Sequence, residues 1–73
     1  MKSHNDVIAV LQDALTAELS TVHQYLLGAE KYRRWGYMRL HEKMTGEVRE
    51  ETEHARLLVE RILFLEGNAD VQT

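Results

Sequence analysis

The chain contains no cysteine and no proline among its 73 residues. Without cysteine it can form neither a disulfide nor a thiolate zinc site, which are common supports of very small domains. A single hydrophobic core of this size rarely supplies more than about 3–5 kcal/mol of stability. The sequence therefore predicts another support for the fold, either oligomerisation or a metal bound through histidine and carboxylate side chains.

Long apolar runs and a basic surface are also missing. No stretch approaches the ~18 apolar residues that suggest a membrane-spanning helix, and the polar segment MKSHNDVIAVLQDAL is unlike a signal peptide. The formal net charge is −3, and the arginines and lysines are interspersed with acids instead of forming the basic stripe of a nucleic-acid-binding protein. We expect a cytoplasmic protein that binds neither nucleic acid nor membrane.

The absence of proline leaves long segments free to be helical, and one glycine marks the break between them. Gly36 follows Arg33 and Arg34 in RRWGYM, and a glycine after two cations is typical of a helix C-terminus. The sequence predicts an all-α helical hairpin over residues 1–73, with helix A at about 4–35, a turn at about 35–38 and helix B at about 39–66. A connection this short makes the helices antiparallel neighbours.

Each predicted helix carries a stripe of residues at alternating spacings of three and four, the pattern of a bundle core. The stripe of helix A is Ile8, Leu11, Leu15, Glu18, Val22, Tyr25, Ala29 and Tyr32, and that of helix B is Leu40, Met44, Glu47, Glu51, His54, Leu58, Arg61 and Leu65. Both stripes are apolar at their ends and polar in the middle. Two helices cannot enclose such a polar layer, so we expect two hairpins to form a four-helix bundle.

The polar middle of the stripes has the composition of a metal site. Glu51 and His54 are three residues apart on one helix face, and a turn centred near residues 36–37 places Glu18 level with them. Di-iron carboxylate bundles use one glutamate from each of two helices and a Glu-x-x-His pair from each of the other two. We therefore predict Glu18, Glu51 and His54 as metal ligands and catalytic residues of a di-iron centre formed across a homodimer.

Some neighbouring residues are weaker candidates for roles in this site. Glu47, one turn from Glu51, is predicted as an accessory ligand or a residue of the iron path, with a solvated acid as the alternative. We expect Tyr25 to pack in the core and Trp35 to anchor the turn, with electron delivery as the alternative for both.

The histidines outside the stripe that carries the candidate ligands, called the metal stripe, receive different predictions. His4 and His41 are predicted to be surface residues near helix starts. His23 forms a second stripe with Leu19 and Leu26 beside the metal stripe, and we expect this stripe to make an oligomer contact.

The stretches AELSTVHQYLLGAEKYRRWGYMRL and EETEHARLLVERILFLEG resemble the first two helices of bacterioferritin, over nearly all of the chain. The resemblance implies that Glu18 is a terminal carboxylate ligand, Glu51 a bridging one and His54 the nitrogen ligand of half a ferroxidase centre. It also implies oxidation of Fe(II) by O2 or H2O2, iron storage or detoxification in a cage of many dimers, and a ferredoxin-like electron donor.

The chain departs from the bacterioferritin pattern in three respects. That family has four long helices and a short fifth, so the chain resembles half of a bacterioferritin, and we expect a second copy to supply the rest. Thr52 stands where the family places its haem-ligating methionine, so haem binding by that route is not expected. If haem binds, the candidate ligand is His23, at a two-fold contact, or a nearby methionine. Gly46 stands where some members carry an additional iron ligand.

Two other functions are alternatives to an iron-storing ferroxidase. One is a di-iron protein that scavenges peroxide without storing iron. The other is a metal-free helical module that only assembles or docks other proteins. Metal analysis of the purified protein separates the second alternative from the other readings, and mineral loading separates storage from scavenging.

Overall fold

The computed structural model describes residues 4–66. They form two helices, α1 (His4–Trp35) and α2 (Met38–Leu65), which pack against each other as a hairpin measuring 50 × 25 × 15 Å. This confirms the all-α hairpin predicted from the sequence. Within these residues, neither helix combines the length and the apolar character needed to cross a bilayer.

The reversal between the helices is built around Gly36. Its φ of +83° lies in the left-handed region, which glycine enters without a steric penalty. The Gly36 N–H donates to the Arg33 carbonyl at 3.1 Å, and the Tyr37 N–H donates to the Tyr32 carbonyl at 2.9 Å. These two bonds close a Schellman motif, which satisfies carbonyls at the end of α1. Helix α1 thus ends at Trp35, directly before this glycine.

A narrow apolar core lies between the two helices. Its most buried side chains are Ile8 and Ala29 of α1, and Ala55 and Ile62 of α2. The residues of each pair are separated by whole heptads, so they lie along one line of each helix. The alanines let the two backbones approach closely in the central and turn-proximal parts of the hairpin.

The most buried residues of α2 lie beside its predicted stripe and not on it. Neither Ala55 nor Ile62 belongs to that stripe, whereas three of its members, Leu40, His54 and Arg61, are exposed in the hairpin. A bundle helix has an apolar surface wide enough to contact more than one neighbour. The spacing of the residues does not indicate which edge of that surface meets the helix of the same hairpin.

His41 joins the two helices and is not the surface residue that the sequence predicts. It is half-buried, and its Nδ1 lies 2.8 Å from the carbonyl oxygen of Ala29. A proton on Nδ1 is donated to that oxygen, because a carbonyl can only accept. This bond fixes the start of α2 against the last turns of α1.

Candidate metal centre

Glu18, Glu51 and His54 converge near the middle of the hairpin. The Nδ1 atom of His54 lies 3.4 Å from Oε2 of Glu18 and 3.5 Å from Oε1 of Glu51. One potential ligand atom from each residue lies within 4.8 Å of the other two. The structure thus brings together the three residues predicted from the sequence as metal ligands.

The packing of the helices explains this convergence. Glu51 and His54 lie on successive turns of α2, one turn or less from the buried Ala55. Because Ala55 is small and packs against α1, the two backbones are close at this level, and Glu18 reaches across to α2. Both carboxylates are partly shielded, with side-chain exposures of 25% for Glu18 and 18% for Glu51, whereas His54 is 57% exposed.

The electrostatics of the cluster are those of negative charges placed too close together. The pKa of Glu51 is raised above its ordinary value of 4.5, first by the neighbouring carboxyl group of Glu18, with which only a protonated Glu51 can share a hydrogen bond. Partial burial and the negative charges of Glu18 and Glu47 raise it further, while the imidazole of His54 acts in the opposite direction. The metal-free cluster therefore favours a proton where a metal site would hold a cation.

The Oε2 atom of Glu18 is buried and has no hydrogen-bond partner in the hairpin. A buried carboxylate oxygen without a partner is unfavourable, because it has lost its hydration without replacement. A divalent cation between Glu18, Glu51 and His54 would supply that missing partner and would offset the repulsion between the carboxylates. Two carboxylates and one imidazole form a ligand set that suits Fe(II) or Mn(II).

The neighbouring acids divide into those that face the cluster and those that do not. Glu47 is half-buried, and its charge acts on Glu51. Glu53 and Glu60 instead bind the guanidinium group of Arg56, at 2.8 and 2.7 Å. That pairing lowers the pKa of Glu53.

The aromatic candidates lie in different surroundings. Tyr25 is half-buried on the stripe of α1 that also carries Glu18. Trp35 is 61% exposed at the end of α1. Its ring lies 6.3 Å from that of Tyr32 and 6.4 Å from that of Tyr37, in edge-to-face orientations. Trp35 is therefore part of an aromatic cluster at the turn.

His23 and Thr52 are both exposed. His23 lies between the exposed side chains of Leu19 and Leu26, about 140° around α1 from Glu18. It therefore lies away from the metal cluster. Its role as a haem ligand and the second oligomer contact stay predictions.

Arg61 is a polar residue of the site region for which the sequence predicts no role. An open groove of about 470 Å³ runs beside the cluster, lined by Leu11, Ala14, Ala17, Glu18, His54, Leu57, Leu58 and Arg61. The guanidinium carbon of Arg61 lies 5.3 Å from the centre of the Phe64 ring. The position of Arg61 on the predicted α2 stripe, two turns from His54, is the feature of the sequence that indicates its place beside the site.

Known proteins resemble this chain over most of its length. A protein called bacterial ferritin from Pseudomonas aeruginosa is 43% identical over 67 residues, which are 92% of this chain and 44% of the relative. Bacterioferritin from Brucella melitensis is 45% identical over 73 residues, 100% of this chain and 45% of the relative. Bacterioferritin from Mycobacterium leprae is 35% identical over 72 residues, 99% of this chain and 45% of the relative.

The chain thus spans less than half of the length of these relatives. No solved structure gives a significant match. The family described as Ferritin-like domain matches residues 8–73. With that match and this level of identity, the chain belongs to the ferritin-like family.

Proposed function

We propose that two copies of this hairpin form a four-helix bundle that binds and oxidises Fe(II) at a site shared between them. The observation that carries the proposal is the cluster of Glu18, Glu51 and His54, with ligand atoms within 4.8 Å of one another and a buried glutamate oxygen lacking a partner. The ferritin-like family and the names of the relatives support iron as the metal.

The second copy is proposed because the cluster lies on an open face. His54 is more than half exposed, and the adjoining groove has leucine and alanine walls. The exposed side chains of Leu57 and Phe64 extend this apolar surface. Burying apolar surface contributes about 25 cal/mol per Å², so covering this face would stabilise a fold that has only a thin core of its own.

Two clusters related by a two-fold axis would supply four carboxylates and two imidazoles. Two Fe(II) ions balance the four negative charges, and each ion receives one nitrogen ligand. In this arrangement Glu18 and Glu51 would hold the ions through their carboxylates, with Glu51 as the ligand shared between the two sites that the family resemblance implies, and His54 would be the nitrogen donor. Glu47, one turn away, would guide iron toward the site or act as an accessory ligand.

The reaction that this arrangement supports is the oxidation of two Fe(II) ions to Fe(III). Each ion gives up one electron, and the electron pair reduces O2 to H2O2, or H2O2 to water, with uptake of two protons. The carboxylates favour the oxidised products, because the higher charge of Fe(III) interacts more strongly with anionic oxygen ligands. The protein supplies position and charge, while the redox chemistry belongs to the iron.

We further propose that the oxidised iron is stored within a larger assembly of such dimers in the cytoplasm. The support for storage is the similarity to proteins named bacterial ferritin and bacterioferritin, which is a similarity to part of each. Release of stored iron would require an electron donor, for which a ferredoxin-like protein remains the proposal. A haem bound by His23 would lie away from the Fe(II) site.

The test is to soak crystals of the full chain with Fe(II) and to compute an anomalous difference map at the iron edge. We expect two iron peaks per dimer, each surrounded by Glu18, Glu51 and His54. Absence of iron from this cluster would contradict the proposal and favour the metal-free helical module. Iron at the cluster with oxidation but no growth of a mineral would favour a peroxide-scavenging protein instead of a storage protein.

A further inference from the structure

The tyrosines and the tryptophan of this chain lie on one side of the candidate metal centre. There are three tyrosines and one tryptophan, and all four fall within residues 25–37. Glu18 and Glu51 lie near the middle of their helices, so these four rings occupy the half of the hairpin that leads to the turn. Phe64, at the other end, does not lose an electron readily. The side chains best able to supply an electron to the centre therefore all lie toward the turn.

The four rings form a series of short steps from the metal centre to the surface. Tyr25 and Tyr32 follow Glu18 at intervals of seven residues, which puts all three on one face of α1, with about 10 Å of helix between successive members. Side chains of a helix lean toward its N-terminus, so both rings lean toward the metal centre. The ring of Tyr32 lies 6.3 Å from that of Trp35 and 6.4 Å from that of Tyr37.

The burial of the rings changes along this series. Tyr25 and Tyr32 are half-buried, whereas Trp35 and Tyr37 are 61% and 56% exposed. Because the rate of electron transfer falls exponentially with distance, one step over the ~25 Å of helix between Glu18 and Trp35 would be far slower than successive steps of about 10 Å or less. The series thus begins near the metal centre, shielded from water, and ends at rings that are open to solution.

We propose that the aromatic cluster at the turn, made of Tyr32, Trp35 and Tyr37, is the surface end of a path that carries oxidising equivalents away from the metal centre. The proposal rests on the proposed function and adds a route for radicals to it. The path is needed when H2O2 meets a dimer that holds a single Fe(II), because H2O2 requires two electrons and one Fe(II) supplies only one. Discharge at the turn keeps oxidative damage away from the ligands.

The electrons and protons of this reaction balance. H2O2 takes one electron from Fe(II), and a second electron together with a proton from the hydroxyl group of Tyr25. One more proton comes from solvent, so the products are two waters, Fe(III) and a tyrosyl radical. Tyr25 regains its electron and proton from Tyr32, which regains them from Trp35 or Tyr37. A one-electron reductant in solution then restores the exposed ring, which takes its proton from solvent.

The charge around the exposed rings favours an anionic reductant. Residues 30–43 contain five cations and two acids, for a net charge of +3, and all seven of these side chains are exposed: Lys31, Arg33, Arg34, Arg39 and Lys43 against Glu30 and Glu42. Attraction between opposite charges raises the rate at which a small anion such as ascorbate meets this end of the hairpin, and repulsion lowers that rate for Fe(II). The turn is therefore suited to reduction by an anion.

The single tryptophan makes the end of the path observable. The full chain would be loaded with one Fe(II) per dimer in the absence of oxygen, mixed with H2O2, frozen rapidly and studied by electron paramagnetic resonance. Deuteration of the tryptophan ring should narrow the radical signal, because part of the unpaired spin resides on Trp35. Without ascorbate, mass spectrometry should find oxidised Trp35, and ascorbate should suppress this product.

The matched variants are Tyr32→Phe and Tyr32→Trp. Both keep an aromatic ring in the cluster, but only the tryptophan can pass on an electron. Tyr32→Phe should lower the oxidation of Trp35 several-fold and leave the radical on Tyr25, where ascorbate reduces it several-fold more slowly. Tyr32→Trp should keep the oxidation of Trp35 near the wild-type level, which a purely structural role of the Tyr32 ring does not predict.

Two results would overturn the path and leave the iron site intact. Hydroxyl radicals formed in solution would oxidise the exposed Trp35 directly, and Tyr32→Phe would then give no protection. A radical that stays on Tyr25 in the wild type, with no contribution from Trp35, would also overturn it. Absence of any Fe(II)-dependent loss of H2O2 would instead contradict the proposed function together with the path.

Discussion

Glu18 of α1 and His54 of α2 face each other across the hairpin, with 3.4 Å between Oε2 and Nδ1. The glutamate oxygen of this pair is buried without a hydrogen-bond partner, while the imidazole remains open to the groove. An acid held in this way beside Glu51 is unfavourable without a cation. The cluster of Glu18, Glu51 and His54 therefore gives the first test of the site.

Replacing either Glu51 or His54 by alanine should abolish rapid Fe(II) oxidation. In the proposed dimer each substitution removes two ligands at once, one from each chain. Loss of an outer-shell partner in a metal site already costs about 10–100-fold, so loss of a direct ligand should lower the initial rate by about 100-fold or more. The rate is measured by the growth of ferric absorbance after Fe(II) is mixed with oxygenated protein.

The matched control for this experiment is Glu53→Ala on the same helix. Glu53 is exposed and pairs with Arg56, so its loss removes an acid but no proposed ligand. The control should oxidise Fe(II) at nearly the wild-type rate. Wild-type rates in the Glu51 and His54 variants would show that the ligands have been assigned wrongly.

Glu47→Ala should slow Fe(II) oxidation several-fold without changing the number of iron ions bound. Glu47 is half-buried and close enough for its charge to act on Glu51, but it lies outside the group of three potential ligands. Glu50→Ala, which removes an exposed acid on the next turn, serves as the control. A loss of iron stoichiometry in Glu47→Ala would make Glu47 a full ligand.

The metal-free protein should be stabilised by Glu51→Gln at neutral pH. The pKa of Glu51 is raised in the folded state, chiefly by the adjacent carboxyl group of Glu18, with which the protonated form can share a hydrogen bond. The folded protein therefore binds this proton more tightly than the unfolded chain. The contribution of Glu51 to the free energy of unfolding is therefore greatest at low pH. It is lost as the pH rises through the pKa that Glu51 has in the folded state. Glutamine is neutral throughout and avoids that loss.

The melting temperatures of the wild type and Glu51→Gln should accordingly converge as the pH falls toward the ordinary glutamate value of 4.5 and separate as it rises. Both proteins must be compared at one concentration, because dimerisation itself shifts the transition. Added Fe(II) should reverse the order at neutral pH by stabilising the wild type alone. A difference in melting temperature that is independent of pH would mean that the pKa of Glu51 is not raised in the folded state.

His41→Ala should destabilise the protein, because it removes the bond between Nδ1 and the Ala29 carbonyl. A hydrogen bond of this kind contributes about 0.5–1.5 kcal/mol to the free energy of unfolding, which urea denaturation can resolve. As the control, Gln24→Ala removes an exposed side chain and should change that free energy by less than about 0.5 kcal/mol. Equal effects of the two substitutions would assign no structural role to the contact between the helices.

Gly46→Ala and Gly36→Ala should act in opposite directions. A Cβ at Gly46 would meet nothing within 4 Å, so alanine should stabilise α2 by up to about 1 kcal/mol. Gly36 has a φ of +83°, and a side chain there should cost about 1–2 kcal/mol. If Gly46→Ala weakens dimerisation instead, Gly46 lies where the backbone of a second copy approaches closely.

The sequence by itself determined the helical hairpin and the composition of the candidate site. Gly36 after two arginines places the reversal, because only a residue tolerant of positive φ closes the Schellman motif at this point. The spacing of Glu51 and His54 puts them on one helix face in any α-helix. The short turn then fixes the level at which Glu18 meets them, so their convergence follows from local geometry and chain length.

Only the tertiary structure decided which edge of α2 faces α1. Ala55 and Ile62 make that contact, whereas His54 and Arg61 of the predicted stripe remain open toward a groove. The bond of His41 to Ala29, the buried oxygen of Glu18 and the raised pKa of Glu51 likewise appear only once the helices are packed. The physical reason is that periodicity gives the direction of a side chain around its own helix, while burial and charge coupling depend on the rotation of one helix against the other.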